Sequence, residues 1–377
     1  MLKRWVEVAG VYIHIPFCTS KCRYCDFTSY PGKIGFAEAY MACVYKEIKL
    51  RAGQLKDKVF DTVYFGGGTP SVIDEKLIAG CVRQLKKYLL IAEDAEITIE
   101  VNPGTLTKEK VSVYREAGIN RFSIGLQSAE NRLLEDLGRI HTAEDFVSAC
   151  RMIGGCNKSA DIMIGLKDQS WDDVKKTIDL ACVSCGVKHI SVYALTPEDG
   201  TPVYTDYLNG ELPDSDEVAE MYDRVREYLS PLGYRRYEVS NFALAGYESR
   251  HNLNYWRRGE YIGFGVAACS FMNGRRFANT RDLDEYIKCT LTDYFPVVDD
   301  EDVADDAAFE KIMLALRTEE GLSLTDFNRE FSTDFETEFA DALKKNARFL
   351  ELKDGRLKIK DNFLYVQNTI IIDFLQK

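Results

Sequence analysis

The chain has 377 residues, 46% hydrophobic and 29% charged, which excludes a disordered or fibrous protein and leaves room for one large α/β domain beside a smaller one. Its net charge of -12 leaves no basic face for a nucleic-acid backbone, and no apolar run reaches bilayer length, so neither nucleic acid nor an integral membrane segment is expected. Eleven cysteines, an odd count, argue for thiols and metal in a reducing compartment, and the opening MLKRWVEVAG has no apolar leader core, so a cytoplasmic protein is expected.

From residue 11 to about 194 a short β-branched run, a turn and an amphipathic helix recur. Strands are predicted over 11–15, 62–65, 96–101, 121–125, 161–165 and 189–193, and helices over 36–52, 75–89, 108–117, 143–153 and 171–182. About six βα units imply an α/β fold with a parallel sheet, a partial (β/α)6 relative of the TIM barrel, whose active residues gather at strand C-terminal ends. Cys18, the loop 66–69, Glu100, Asn102 and Gln127 obey that rule, whereas Asp161 opens its strand and does not.

Beyond Tyr193 come a loop over 196–202, a helix over 216–229, a piece over 236–241 and the irregular stretch HNLNYWRRGEYIGFGVAACSF. The acidic run DDEDVADD at 299–306 reads as a linker or helix start. A helix over 309–317, the string GLSL, further helical runs and a hairpin at LKDGRLKI then form a winged-helix pattern, too acidic for a DNA reader and better suited to a lid or docking module. The expected units are a barrel over 1–240, an extension over 241–300 and a C-terminal winged-helix-like module over 301–377.

The chemistry concentrates in YIHIPFCTSKCRYCDF, where Cys18, Cys22 and Cys25 supply three thiolates and no fourth. A closed structural zinc site takes four ligands, usually as two separated pairs, and the nearby His14 lies within a strand. Three thiolates can hold three irons of a [4Fe-4S] cubane and leave the fourth iron open to a small molecule. Plain packing of the thiols is the other alternative. FGGGTPS at 65–71 lacks the Lys and Ser of a phosphate loop. It is either a bare tight turn or, beside the cysteine loop, a backbone cradle for the amino and carboxylate groups of an amino acid chelating that open iron.

These motifs resemble the radical S-adenosylmethionine superfamily. The strings YIHIPFC, VYFGGGTPS, IEVNP, GLQS, LGRIH and HNLNYW further resemble the coproporphyrinogen dehydrogenase family, and within it the HemW-type haem chaperone branch. The resemblance implies that Cys18, Cys22 and Cys25 hold the cluster, with S-adenosylmethionine on the unique iron, and that Tyr12 and Tyr24 line the adenosyl pocket. It implies that Gly67, Gly68 and Thr69 bind the methionine part, and that Glu100, Gln127, Arg139 and Asp161 contact one or two copies of the molecule. Read locally, each polar strand end could instead tie down a loop, and Arg139 with His141 could close a helix. The implied chemistry is reductive cleavage of the sulfonium to methionine and a 5'-deoxyadenosyl radical, fed by an electron donor and kept dry under the C-terminal module.

Two departures weaken the decarboxylase reading: dehydrogenases of the family carry a further cysteine where this chain has Phe27, and a longer arm before the first strand. In its place His251, Asn252, Tyr255 and Trp256 form H-N-x-x-Y-W, resembling the signature of the chaperone branch. That resemblance implies haem as cargo and apo-haemoproteins as acceptors, with His251 as an axial ligand and Tyr255 and Trp256 stacking on the macrocycle. A hydrogen-bonded core corner is the alternative. Relatives commonly show His where Cys269 stands, so Cys269 either substitutes as a thiolate ligand or leaves the site weaker. The competing function is oxygen-independent oxidative decarboxylation of coproporphyrinogen III. Cys182 and Cys185 are expected to face the barrel, Cys43, Cys81, Cys150, Cys156 and Cys289 to pack, and His189 to be structural.

Overall fold

Each predicted strand is present in the computed structural model, which describes residues 8–288, 292, 294, 297–303 and 307–375; Cys289 and residues 304–306 of the acidic run lie outside the described residues. Strands β1 (Val8–Ile15), β2 (Val59–Gly67), β3 (Leu90–Val101), β4 (Arg121–Gln127), β5 (Asn157–Ile164) and β6 (His189–Ala194) pair in that order, all parallel. Four of the helices between them start at side-chain caps: Asp74, Thr107, Thr142 and Ser170 each accept a backbone N-H of the first turn. The strands run longer than the sequence suggests. β5 begins at Asn157, which moves Asp161 from the start of its strand to the middle.

Residues alternate across this sheet. Val11 and Ile13, Val63 and Phe65, Ile97 and Ile99, Phe122 and Ile124, and Ile190 and Val192 are buried among the core residues. Each such side chain contributes about 1.5–3 kcal/mol on leaving water. The intervening positions are polar and turn to the concave side: Glu100 stands opposite Ser123, Ser123 opposite Ser159, and Asp161 opposite Gly125 and Ser191. The barrel interior is therefore a site rather than a packed core.

The expected extension over 241–300 belongs to the same sheet. Asn241–Ala243 adds antiparallel to β6, and Tyr261–Phe264 adds parallel to β1 at the other edge. Cys269–Met272, Arg275–Asn279 and Val297–Asp302 continue outward, giving twelve strands. The acidic run thus opens as an edge strand, not as a linker, because Arg275 and Arg276 on the neighbouring strand give its backbone a partner and Asp300 a counter-charge at 2.9 Å.

Glu47, buried on the helix Ala37–Arg51, ties this extension to the barrel. It accepts the Gly265 backbone N-H at 3.0 Å, the Asn279 amide at 2.8 Å and the Tyr286 hydroxyl at 2.6 Å, and pairs with Arg51 at 2.9 Å.

The C-terminal residues form Ala307–Ala315, Leu322–Ser323, Leu324–Phe331, Phe335–Glu338, Ala340–Asn346 and the hairpin Leu350–Lys353 with Arg356–Ile359, a winged-helix-like order with a three-stranded sheet. Arg236 clamps this module to the barrel through Glu319 at 2.7 Å and Asp361 at 3.1 Å, and Glu238 bridges to Thr318. No helix among the described residues is long and apolar enough to cross a membrane.

Glu47→Ala removes the buried carboxylate that Arg51 and three donors share, so it should lower the unfolding free energy by about 3–5 kcal/mol in urea titrations. A loss below about 1 kcal/mol would show that Glu47 does not hold the extension in place.

Candidate functional site

The strand β1 runs into Phe17–Cys18, and the loop carrying the other two cysteines follows. Two backbone bonds staple the glycine loop after β2 to it: Gly68 N-H to the Ile15 carbonyl at 2.9 Å and Thr69 N-H to the Phe17 carbonyl at 2.8 Å. The glycines are required by this contact. A Cβ on Gly68 would lie 2.7 Å from the Phe17 oxygen and 2.9 Å from Cys18 Sγ, and Gly67 has φ +118 with His14 ring atoms 2.7 Å from where its Cβ would be.

None of the three thiols is in a disulfide. Cys18 Sγ lies 3.6 Å from Thr69 Oγ1, and Arg139 Nη1 donates to Cys22 Sγ at 3.6 Å. Burial pushes the Cys18 and Cys25 thiols above their usual range; hydrogen bonding to Thr69 and the Arg139 charge oppose this at Cys18. The Arg139 backbone N-H closes the helix Asn131–Asp136 on Leu134, while its side chain turns inward and donates to the Gly125 carbonyl at 2.9 Å. Its buried Nε has no partner among the described residues.

All three cysteines line one cavity of about 360 Å³, together with Tyr24, Gly67, Gly68, Thr69, Glu100, Gln127, Arg139 and Asp161. Gln127 sits at φ +65 after a bulge in β4, a left-handed conformation uncommon for a side-chain-bearing residue. Glu100 accepts the Tyr64 hydroxyl at 2.8 Å. Burial pushes its carboxyl up to about 7, with Asp161 adding to the rise and Tyr64 opposing it. Burial likewise pushes Asp161 up to about 6, against Ser191, Arg139 and Arg121. Among the described residues no three His, Cys, Asp or Glu side chains converge as a single metal ion needs. The donor set fits a larger guest: three free thiols, a guanidinium beside them, a glycine cradle, and buried carboxyls that favour a cation.

A second cavity of about 590 Å³ shares Phe27, Gly67 and Glu100 with the first, and is lined further by Tyr255, Tyr261, Cys269, Phe271, Arg258, Arg276 and Glu310. Tyr12, expected at the adenosyl pocket, lines this second cavity instead, because its strand position leads toward the extension edge of the sheet.

The H-N-x-x-Y-W motif forms the helix Arg250–Trp256, capped by Ser249. His251 does not present an open nitrogen. Its Nδ1 lies 2.8 Å from Thr62 Oγ1, its Nε2 lies 2.8 Å from the Tyr255 hydroxyl, and its ring stacks on Tyr64 with centroids 5.1 Å apart. Burial pushes the imidazole down to about 3. One helical turn separates His251 from Tyr255 on a shared face, so the tyrosine stands between the imidazole and the cavity. Neither His251 nor Trp256 lines either cavity, and the axial and stacking roles expected of them have no geometry here; Tyr255 alone reaches the space.

His14 stays with the sheet, its Nε2 donating to the Thr28 carbonyl at 2.9 Å, and His189 is structural, hydrogen-bonded to Tyr237 at 2.8 Å. Cys182 and Cys185 pack against the core of the barrel, Cys185 hydrogen-bonded to Cys150 of the helix Ala143–Ile153 and Cys182 to Tyr234. Ser123, Met163 and Tyr193 of the first cavity escaped the sequence reading, although the polar alternation along their strands is its signal. Arg258, Tyr261 and Phe271 of the second lie in the irregular stretch HNLNYWRRGEYIGFGVAACSF without matching a motif in it, and Arg276 and Glu310 come from separate segments with no local signal.

Residues 12–181 match the Radical SAM superfamily and residues 304–364 the HemN C-terminal domain. The chain is similar to the heme chaperone HemW of Bacillus subtilis, 34% identical over 342 residues covering 89% of this chain and 90% of the relative. It is similar to the heme chaperone HemW of Lactococcus lactis, 31% identical over 97% of both chains. Among solved structures, coproporphyrinogen III oxidase (HemN) from Escherichia coli, a radical SAM enzyme, superposes with a TM-score of 0.85 over 98% of this chain and 90% of that one; at 19% identity this shows the fold alone.

Because Glu100 and Asp161 are held above their ordinary values, their contribution to stability is fully present below about pH 4 and is lost as pH rises to about 7. The depressed histidines His14, His141 and His251 act oppositely, costing stability as pH falls below about 6.5. Glu100→Gln removes only one of the carboxyl contributions. Its stability relative to wild type should therefore rise by on the order of 2 kcal/mol between about pH 4.5 and 7.5 in denaturant titrations, and a flat difference would contradict the assignment.

Proposed function

Because this chain belongs to the HemW haem chaperone family of the radical SAM superfamily, we propose that it binds haem and passes it to apo-haemoproteins while carrying a [4Fe-4S] cluster and S-adenosylmethionine. The observation that carries this reading is a pair of cavities sharing one wall, the first thiol-rich and acidic, the second aromatic and cationic. In the first, Cys18, Cys22 and Cys25 would hold the cluster, Gly67, Gly68 and Thr69 would take the methionine end, and Tyr24 would line the adenosyl pocket, all of them lining one cavity. When bound, these groups supply a one-electron reductant at a sulfonium, drawing on an external electron donor.

The chain's own residues do the rest. Arg139 offsets thiolate charge through Cys22. Glu100 and Asp161 ionise as a cationic ligand enters, since a nearby positive charge favours the carboxylate. Gln127 and Arg139 fix orientation through a strained strand end and a carbonyl-anchored guanidinium. Phe27 supplies an exposed apolar ring at the wall common to both cavities, with no thiol, which favours cargo handling over decarboxylation. The working compartment is the cytoplasm. The functional units are the barrel over 1–240, the sheet extension over 241–300 and the C-terminal module over 301–377.

Oxygen-free reconstitution with iron and sulfide should load about four irons per chain, and Cys18→Ala, Cys22→Ala or Cys25→Ala should each abolish that loading. The loaded chain should take up haemin and deliver it to an apo-haemoprotein. Formation of protoporphyrinogen from coproporphyrinogen III, with no haem delivery, would replace this reading with the decarboxylase one.

A further inference from the structure

Resting on the haem-binding reading above, we propose that haem sits in the second cavity with the Cys269 thiolate on its iron and Arg258 and Arg276 pairing with its propionates. The motif histidine acts one layer behind.

The cavity suits a flat, dianionic macrocycle. Tyr12, Tyr255, Tyr261 and Phe271 give it aromatic walls, Met313 and Leu314 of the C-terminal module add apolar cover, and two guanidiniums stand within it. Both arginines are pinned rather than free: they lie over the same Phe271 ring, Arg258 at 4.7 Å and Arg276 at 5.2 Å. Glu310 faces them both, taking Arg258 through Nε at 2.6 Å and Arg276 through Nη2, and Arg276 Nη1 donates to the Tyr261 hydroxyl at 3.1 Å. That leaves the terminal amino groups of Arg258 without a partner among the described residues, and one of the two positive charges uncompensated by Glu310.

The backbone supports this aim. Arg258 ends the motif helix at φ +59, where glycine would sit without strain. Its neighbour Gly259 has no room for a side chain, since a Cβ would meet Asn254 Oδ1 at 2.0 Å. A side-chain-bearing residue kept in a left-handed turn costs about 1 kcal/mol, and here it carries the guanidinium to the cavity.

For the iron, the cavity offers one thiol among its described lining residues, the only sulfur there that can bind ferric iron as an anion. Cys269 is exposed at the start of Cys269–Met272, whereas His251 has both nitrogens engaged and His14 is bonded at Nδ1 to Tyr12 and at Nε2 to Thr28. As sulfur binds ferric iron the thiol proton leaves to water, and the water or chloride on haemin departs; no oxidant or reductant is needed. His251 then positions the wall through its bond to Tyr255.

The test is titration of the full-length chain with haemin and with haemin dimethyl ester, followed by absorption and electron paramagnetic resonance. Wild type should show a thiolate-ligated ferric signature. Cys269→Ser should lose it and bind haemin roughly ten-fold or more weakly, while Cys269→His should regain affinity with an imidazole signature. Arg258→Leu with Arg276→Leu should weaken haemin roughly ten-fold or more and leave the ester unchanged. Unaltered affinity and spectrum in Cys269→Ser, or equal loss of haemin and ester in the arginine variant, overturns the proposal while haem binding by the wild type stands. Failure of wild type to bind haemin overturns the haem reading itself.

Discussion

Two carboxylic acids buried in the hollow of a parallel sheet, Glu100 and Asp161, set the terms for the rest of this structure. Burying a carboxylate without a cation is costly enough that the group holds its proton instead, and both are displaced in that direction. Ser191, Arg139 and Arg121 ease Asp161, and Arg139 is already committed to the Gly125 carbonyl and to Cys22. An interior of this kind forgoes the apolar packing that a closed barrel would use, and it holds two acids that a positively charged guest would ionise.

The same constraint links the two cavities. Glu100 and Gly67 belong to the wall between them, so a cationic guest in the first would change the charge at the edge of the second. The glycine loop can serve as that wall because it lies directly on the cysteine loop, closer than any side chain would permit. On the far side, the C-terminal module contributes Glu310, Met313 and Leu314, which makes the second cavity a joint product of the barrel, its sheet extension and that module. Movement of the module would therefore open one cavity and leave the other intact.

What could be read from residues alone follows the range of the interactions involved. The βα alternation, the cysteine loop and the glycine loop are local patterns, and the fold brings the two loops together on one cavity at the ends of neighbouring strands. Asp161 looked misplaced only because Asn157–Ala160, a polar-to-small lead-in, was not recognised as strand. The histidine motif misled for a different reason: whether His251 faces cargo or core depends on Thr62 and Tyr64, nearly two hundred residues away, which claim the imidazole. The acidic run and the second cavity were equally out of reach, since each depends on pairing between distant segments.

The most direct test of the buried-carboxyl principle is calorimetry of S-adenosylmethionine binding to the oxygen-free, cluster-loaded chain near pH 6 in buffers of different ionisation enthalpy. Proton release on binding, largely removed by Glu100→Gln, is the predicted result, because the guest converts a protonated acid into a carboxylate. Binding with no proton release, or release unchanged in the variant, would contradict it.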